Sequence, residues 1–238
     1  MTLPNDPPRP ASLGAVAIDA ALDPIRLSAL LSSRLCHDLV NPLAALTTGL
    51  EMYADPDEDA ETREEAFELV ETNARKAVDV LKFARLAYGQ SGGLDMDVPL
   101  DEARAALEGL FAWFKADLDW RLGSGYAPKE RVKALLVLAQ AAADCAPRGG
   151  VVAVSQDAEG YVVEASGERV YLNESLSRAL GGETDALEPK ESPLLIAGLA
   201  ARKAGGAASA RRDEGRVTLR LDFSQSDDDL SAAALTAS

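Results

Sequence analysis

The sequence predicts an α+β chain: an N-terminal antiparallel helical hairpin that pairs with a second copy as a four-helix bundle, followed by an α/β sandwich. Three observations predict it. Two successive arms carry apolar residues at alternating spacings of 3 and 4. A glycine-rich stretch follows them. The remainder alternates between helical and strand periods.

Residues 1–23 read as a disordered tail, because Pro4, Pro7, Pro8 and Pro10 oppose helix. Asp23-Pro24 fits an N-cap followed by proline at the first helical position. A helix then runs to about residue 54, with Leu35, Leu39, Pro42, Leu46, Gly49 and Tyr53 on its seam. Asp55-Pro56-Asp57 breaks it. The second arm places Phe67, Val70, Ala74, Ala77, Leu81, Ala84 and Tyr88 on a matching seam. One hairpin cannot cover two such seams, whereas two hairpins can. The hairpin domain therefore spans 24–89, and a linker covers 90–98.

The second domain spans 99–223. Helices are expected over 100–114, 129–146, 173–180 and 193–204. Strands are expected over 117–122, 151–155, 161–165, 207–212 and 216–223, giving helices on one face of a mixed sheet. Trp113 and Trp120 flank a turn and are expected to pack this second core. Residues 224–238 are small, polar and acidic and read as a second disordered tail.

Composition narrows the function. The 238 residues hold 24 Lys+Arg against 39 Asp+Glu, for a formal charge of −15. That balance repels phosphate backbones, so nucleic acid is not an expected partner. No segment reaches the roughly 18 apolar residues of a membrane span, and no signal peptide is evident, so a cytoplasmic location is expected. The two cysteines show no metal-site spacing. The single histidine excludes every site that needs two. No metal ligand set and no bound cofactor are expected. Histidine chemistry, if the chain performs it, falls to His37.

On a wheel of about 100° per residue, His37 points away from the seam. Asn41, Ala44, Thr48 and Glu51 share its face, a small and polar stripe that another protein could approach. Asp38 stands next to the imidazole and can hold its tautomer. Pro42 costs about 3 kcal/mol inside a helix and removes the donor for the Asp38 carbonyl. Arg34 lies close to the histidine face, where it can meet a phosphoryl oxygen or an acidic partner rim. Cys36 is expected to pack as a small buried thiol.

The run His37-Asp38-Leu39-x-Asn41-Pro42-Leu43 resembles the phosphoacceptor box of the dimerisation and phosphotransfer domain of sensor histidine kinases. The resemblance implies His37 as phosphoacceptor, Asp38 as acid/base and Asn41 as an orienting polar group. The second domain resembles a kinase ATP-binding domain with its motifs lost. The kinase asparagine is replaced by Ala141. The adenine-reading motif reads Ala165-Ser166-Gly167-Glu168-Arg169, and the glycine-rich phosphate loop reads Glu191-Ser192-Pro193-Leu194-Leu195. Without those glycines the backbone cannot cradle phosphates.

This combination resembles the dimeric histidine phosphotransferases of alphaproteobacterial cell-cycle relays. Arg34-Leu35-Cys36-His37-Asp38, Ala74-Arg75-Lys76 and Phe83-Ala84-Arg85-Leu86-Ala87-Tyr88-Gly89 carry that likeness. It implies a homodimer that takes a phosphoryl group from the receiver domain of a hybrid histidine kinase. The group then passes to response-regulator receiver domains. Mg²⁺ is expected to come from the receiver. Arg34, Ala44, Thr48 and Glu51 are the expected partner contacts. The competing readings are an ATP-dependent histidine kinase with divergent boxes, a non-catalytic dimeric scaffold and a receiver phosphatase.

Overall fold

A computed structural model describes residues 23–89, 97–203 and 206–223. The tails expected over 1–23 and 224–238, apart from Asp23, and most of the expected linker lie outside the described residues. Asp23 accepts a hydrogen bond from the Ile25 backbone N–H at 3.0 Å and opens α1 (Pro24–Ala54). The helix runs unbroken through Pro42, which is buried. Asp59 opens α2 (Ala60–Ala87) by accepting from the Thr62 N–H at 2.8 Å.

The arms meet along a narrower stripe than the spacing suggests. Pro42 and Gly49 on α1 face Ala66 and Ala77 on α2, all buried. Small residues let the axes approach: a Cβ on Gly49 would stand 2.8 Å from Val70 Cγ2 and 3.0 Å from the Ala66 carbonyl oxygen. Tyr53, Phe67 and Leu81 belong to the expected seam, yet they stay about half exposed, as do Val40, Leu43, Leu50 and Val78. The 3–4 repeat therefore merges two stripes. One closes the hairpin and the other faces outward from the chain.

The second domain continues as β1 (Asp97–Pro99), α3 (Leu100–Phe111), β2 (Ala116–Trp120), β3 (Tyr126–Pro128), α4 (Lys129–Cys145), β4 (Gly150–Gln156) and β5 (Gly160–Ser166). It ends with α5 (Glu174–Gly181), α6 (Ser192–Lys203), β6 (Ala207–Asp213) and β7 (Arg216–Asp222). Each expected element is present with small shifts at its ends. The short β1 and β3 were not expected, since three residues show no period. They pair antiparallel, Val98 opposite Ala127, and β1 takes up the end of the expected linker.

The main sheet runs β2-β4-β5-β7-β6, with only the β2–β4 pairing parallel. Val152, Val154, Val163, Ala165, Val217, Leu219 and Leu221 are buried beneath α4, α5 and α6. The opposite face carries ion pairs such as Arg216–Glu164 at 2.9 Å and Arg220–Asp157 at 2.9 Å. One face is therefore core and the other solvent, as alternation in antiparallel strands requires.

Both domains share one core. Val80, Phe83, Leu86 and Ala87 of α2 join Ala103, Leu107 and Leu110 of α3 and Leu135 and Leu138 of α4. Trp113 corrects its expected place. Its indole Nε1–H donates to Asp79 Oδ2 at 3.1 Å and so ties the end of α3 to α2. Trp120 packs against the second core as expected.

The Gly49 contact gives a test of the hairpin. Gly49→Val replaces close approach by overlap with Ala66 and Val70. The expected loss is about 1–3 kcal/mol, read as a lower urea midpoint. A midpoint equal to wild type would contradict the close approach.

Candidate functional site

α1 sets out the polar face that the wheel anticipates. His37 is 79% exposed at its side chain, and Asn41, Ala44, Thr48 and Glu51 on the same face are exposed. Asp38 lies between an imidazole and a guanidinium. Its Oδ1 is 3.4 Å from His37 Nδ1, and its Oδ2 accepts from Arg34 Nε at 2.8 Å. The first contact is long for a hydrogen bond and the second is a charge-assisted one.

Arg34 is not the solvated charge that its helix position suggests. Its side chain is only 12% exposed. Burial pulls the guanidinium's pKa down, but Asp38, Tyr88 and Asp144 more than offset this, and it is held above its ordinary value. Cys36 departs from expectation in the opposite sense and is exposed. It continues the outward stripe of Val40, Leu43 and Leu50, four residues before the first of them.

A cleft of about 730 Å³ opens beside His37, between α1, α2 and the turn after α3. His37, Asp38, Asn41 and Pro42 form one wall. Lys76, Phe83, Tyr88, Trp113, Phe114 and Gln140 form the others. The Lys76 ammonium stands 6.0 Å from the Trp113 ring centroid. The Tyr88 hydroxyl donates to Gln140 Oε1 at 2.8 Å, joining the end of α2 to α4. Burial pushes the Tyr88 pKa far up, the reverse of activation. Sequence reasoning did not assign Lys76, Tyr88, Trp113, Phe114 or Gln140 to this site. One signal pointed here: Gln140 interrupts an otherwise apolar run from 134 to 143, and a buried amide needs a partner.

A second cleft, about 600 Å³, lies on the other side of Arg34 and Gln140. It is lined by Ala141 and by the Glu191–Leu194 segment, two of the places where the kinase nucleotide motifs are lost. The buried Glu191 carboxylate accepts from Ser175 Oγ at 2.9 Å through Oε1, and its Oε2 has no hydrogen-bond partner among the described residues. Lys190 pairs with Asp144 at 3.4 Å. A carboxylate here would repel a nucleotide phosphate that glycine N–H groups would attract. Among the described residues, no group of three His, Cys, Asp or Glu could hold a metal ion, and no helix is long and apolar enough to cross a membrane.

The second domain has a counterpart among known protein families. Residues 100–216 match the histidine phosphotransferase C-terminal domain. The chain is also ChpT-like in sequence: it is 32% identical over 139 residues to the protein phosphotransferase ChpT of Brucella abortus strain 2308. That alignment covers 58% of this chain and 65% of the Brucella protein, a little under two thirds of its length. A solved bacterial phosphotransferase superposes with a TM-score of 0.73 at 26% identity, over 83% of this chain and 96% of that one. The likeness therefore includes much of the hairpin as well as the sandwich.

The two cysteines provide a test of the site's environment. Burial is the main cause that pushes the Cys145 thiol up to about 11, with Asp144 adding to it. At pH 8 about one Cys145 in a thousand is then thiolate, and the side chain is shielded as well. Iodoacetamide at that pH is expected to label Cys36 and leave Cys145 unmodified, as read by peptide mass spectrometry. Equal labelling would contradict the burial of α4.

Proposed function

We propose that this chain is a histidine phosphotransferase of a multistep phosphorelay. It accepts a phosphoryl group on His37 from the aspartyl phosphate of a hybrid kinase's receiver and passes it to response-regulator receivers. The observation that carries the reading is the chain's only imidazole, largely exposed beside Asp38 on the rim of an open cleft. The ChpT-like sequence and the phosphotransferase-like fold support it.

Asp38 faces Nδ1, so a proton held there leaves Nε2 with a free lone pair. Nε2 attacks the phosphorus of the receiver's acyl phosphate in line with the leaving oxygen. The N–P bond forms as the P–O bond to the receiver carboxyl breaks, and the electron pair leaves on that carboxylate. A second receiver carboxylate reverses the sequence. Transfer of this kind depends on positioning and charge neutralisation. Asn41, one turn from His37, orients the incoming group. Mg²⁺ held by the receiver neutralises the transferring oxygens. Ala44, Thr48 and Glu51 continue the docking face along α1, and Lys76 offers a cation to an acidic receiver rim. No nucleotide is required, in keeping with the carboxylate of Glu191 where kinases place a phosphate loop.

The outward stripe of Val40, Leu43, Leu50, Phe67, Val78 and Leu81 is the half-core of a four-helix bundle, and a second copy completes it. The partners are receiver domains in the cytoplasm, where a free surface thiol such as Cys36 persists.

Two measurements test the reading. Label is expected to reach the chain from a phosphorylated receiver and not from ATP alone. His37→Ala is expected to abolish it. Labelling from ATP without a receiver would overturn the reading. Light scattering at micromolar concentration is expected to give a dimer, and Val40→Asp with Leu81→Asp a monomer. A monomeric wild type would refute the bundle.

A further inference from the structure

Arg34 is a largely covered cation, its side chain 12% exposed, at the junction of the hairpin and the second domain. It lines both clefts, as does Gln140. A buried guanidinium loses more hydration than one ion pair readily returns, so its place needs a reason beyond helix stability. The pair's direction argues the same way. Arg34 precedes Asp38 by four residues, and an isolated helix gains more when the acid comes first. The fork of the guanidinium is rigid, so a donor at Nε fixes where the accepting carboxylate stands.

The Asp38 carboxylate divides its oxygens. Oδ2 takes the Arg34 bond at 2.8 Å, and Oδ1 is thereby turned to His37 Nδ1 at 3.4 Å. Behind Arg34, the hydrogen bond from Tyr88 to Gln140 joins α2 to α4 at 2.8 Å, and Asp144 adds a favourable charge. We infer that Arg34 is a positioning residue through which the C-terminal domain fixes the Asp38 carboxylate, and so the tautomer and ring orientation of His37. The inference rests on the phosphotransfer reading only for its consequence, because the tautomer can be measured without any phosphate. It gives the nucleotide-like domain a part in the chemistry as well as in docking. Contact to the resting imidazole is long, as catalytic contacts in unliganded proteins often are, and it shortens when a receiver closes over the ring.

The experiment uses the full chain labelled with ¹⁵N. Its lone histidine gives a single ring spin system, so the tautomers are read without assignment. Wild type is expected to carry the proton mainly on Nδ1. Arg34→Met is expected to shift the tautomer ratio toward Nε2–H by roughly threefold or more, the size of one lost hydrogen bond. The same substitution in an Asp38→Asn background is expected to add no shift. A merely structural Arg34 would act alike in both backgrounds. Transfer from a phosphorylated receiver should slow in Arg34→Met by on the order of tenfold to a hundredfold. If Arg34→Met does not fold, Arg34→Gln, which keeps a donor for the buried site, carries the same comparison. An unchanged tautomer ratio in the folded variant overturns the inference. A shifted ratio in a protein that never carries label on His37 upholds the positioning and defeats the phosphotransfer reading instead.

Discussion

Everything near His37 depends on the last turns of α2 being part of the C-terminal core. Phe83 is 1% exposed, and its burial removes a full aromatic side chain from water, about 2–3 kcal/mol on its own. Val80, Leu86 and Ala87 join it among residues of α3 and α4. A hairpin tethered only by its linker would swing relative to the sandwich. Anchored this way, it holds the polar face of α1 at a fixed angle to the turn after α3, and the cleft beside His37 exists because of that anchor.

The same junction explains the division of labour between the two domains. On the phosphotransfer reading the hairpin supplies the nucleophile, His37, and its acid, Asp38, on consecutive residues of one helix. The sandwich supplies cover and polar support from the far side, through Gln140 and Asp144. The second cleft carries Glu191 and Ala141, a lining without the glycine N–H groups that cradle a phosphate. On the phosphotransfer reading the chemistry rests on one imidazole and needs no nucleotide.

Much of this was legible in the sequence. The Asp23-Pro24 cap marked the start of α1, Asp55-Pro56-Asp57 marked its end, and strand alternation marked β4 and β5, because those signals are local. The His37 face followed from helix geometry alone. What escaped depends on tertiary contacts. Arg34 and Cys36 sit two residues apart on one helix, yet one is largely covered and the other exposed, since only the sandwich decides which flank of α1 is covered. Trp113 was assigned to the second core because nothing local reveals a partner at Asp79. The apolar repeats on both arms were real, but a period cannot say which stripe closes the hairpin and which faces outward from the chain. β1 and β3 are too short to show any period.

The central claim is that His37 carries the phosphoryl group between two proteins. It is tested most directly by a chase. The chain is charged from one phosphorylated receiver, purified, and mixed with a second unphosphorylated receiver and Mg²⁺. The account predicts that label leaves His37 and appears on the second receiver's aspartate in near-equal amount. Label released as inorganic phosphate, or retained on the chain, would contradict it.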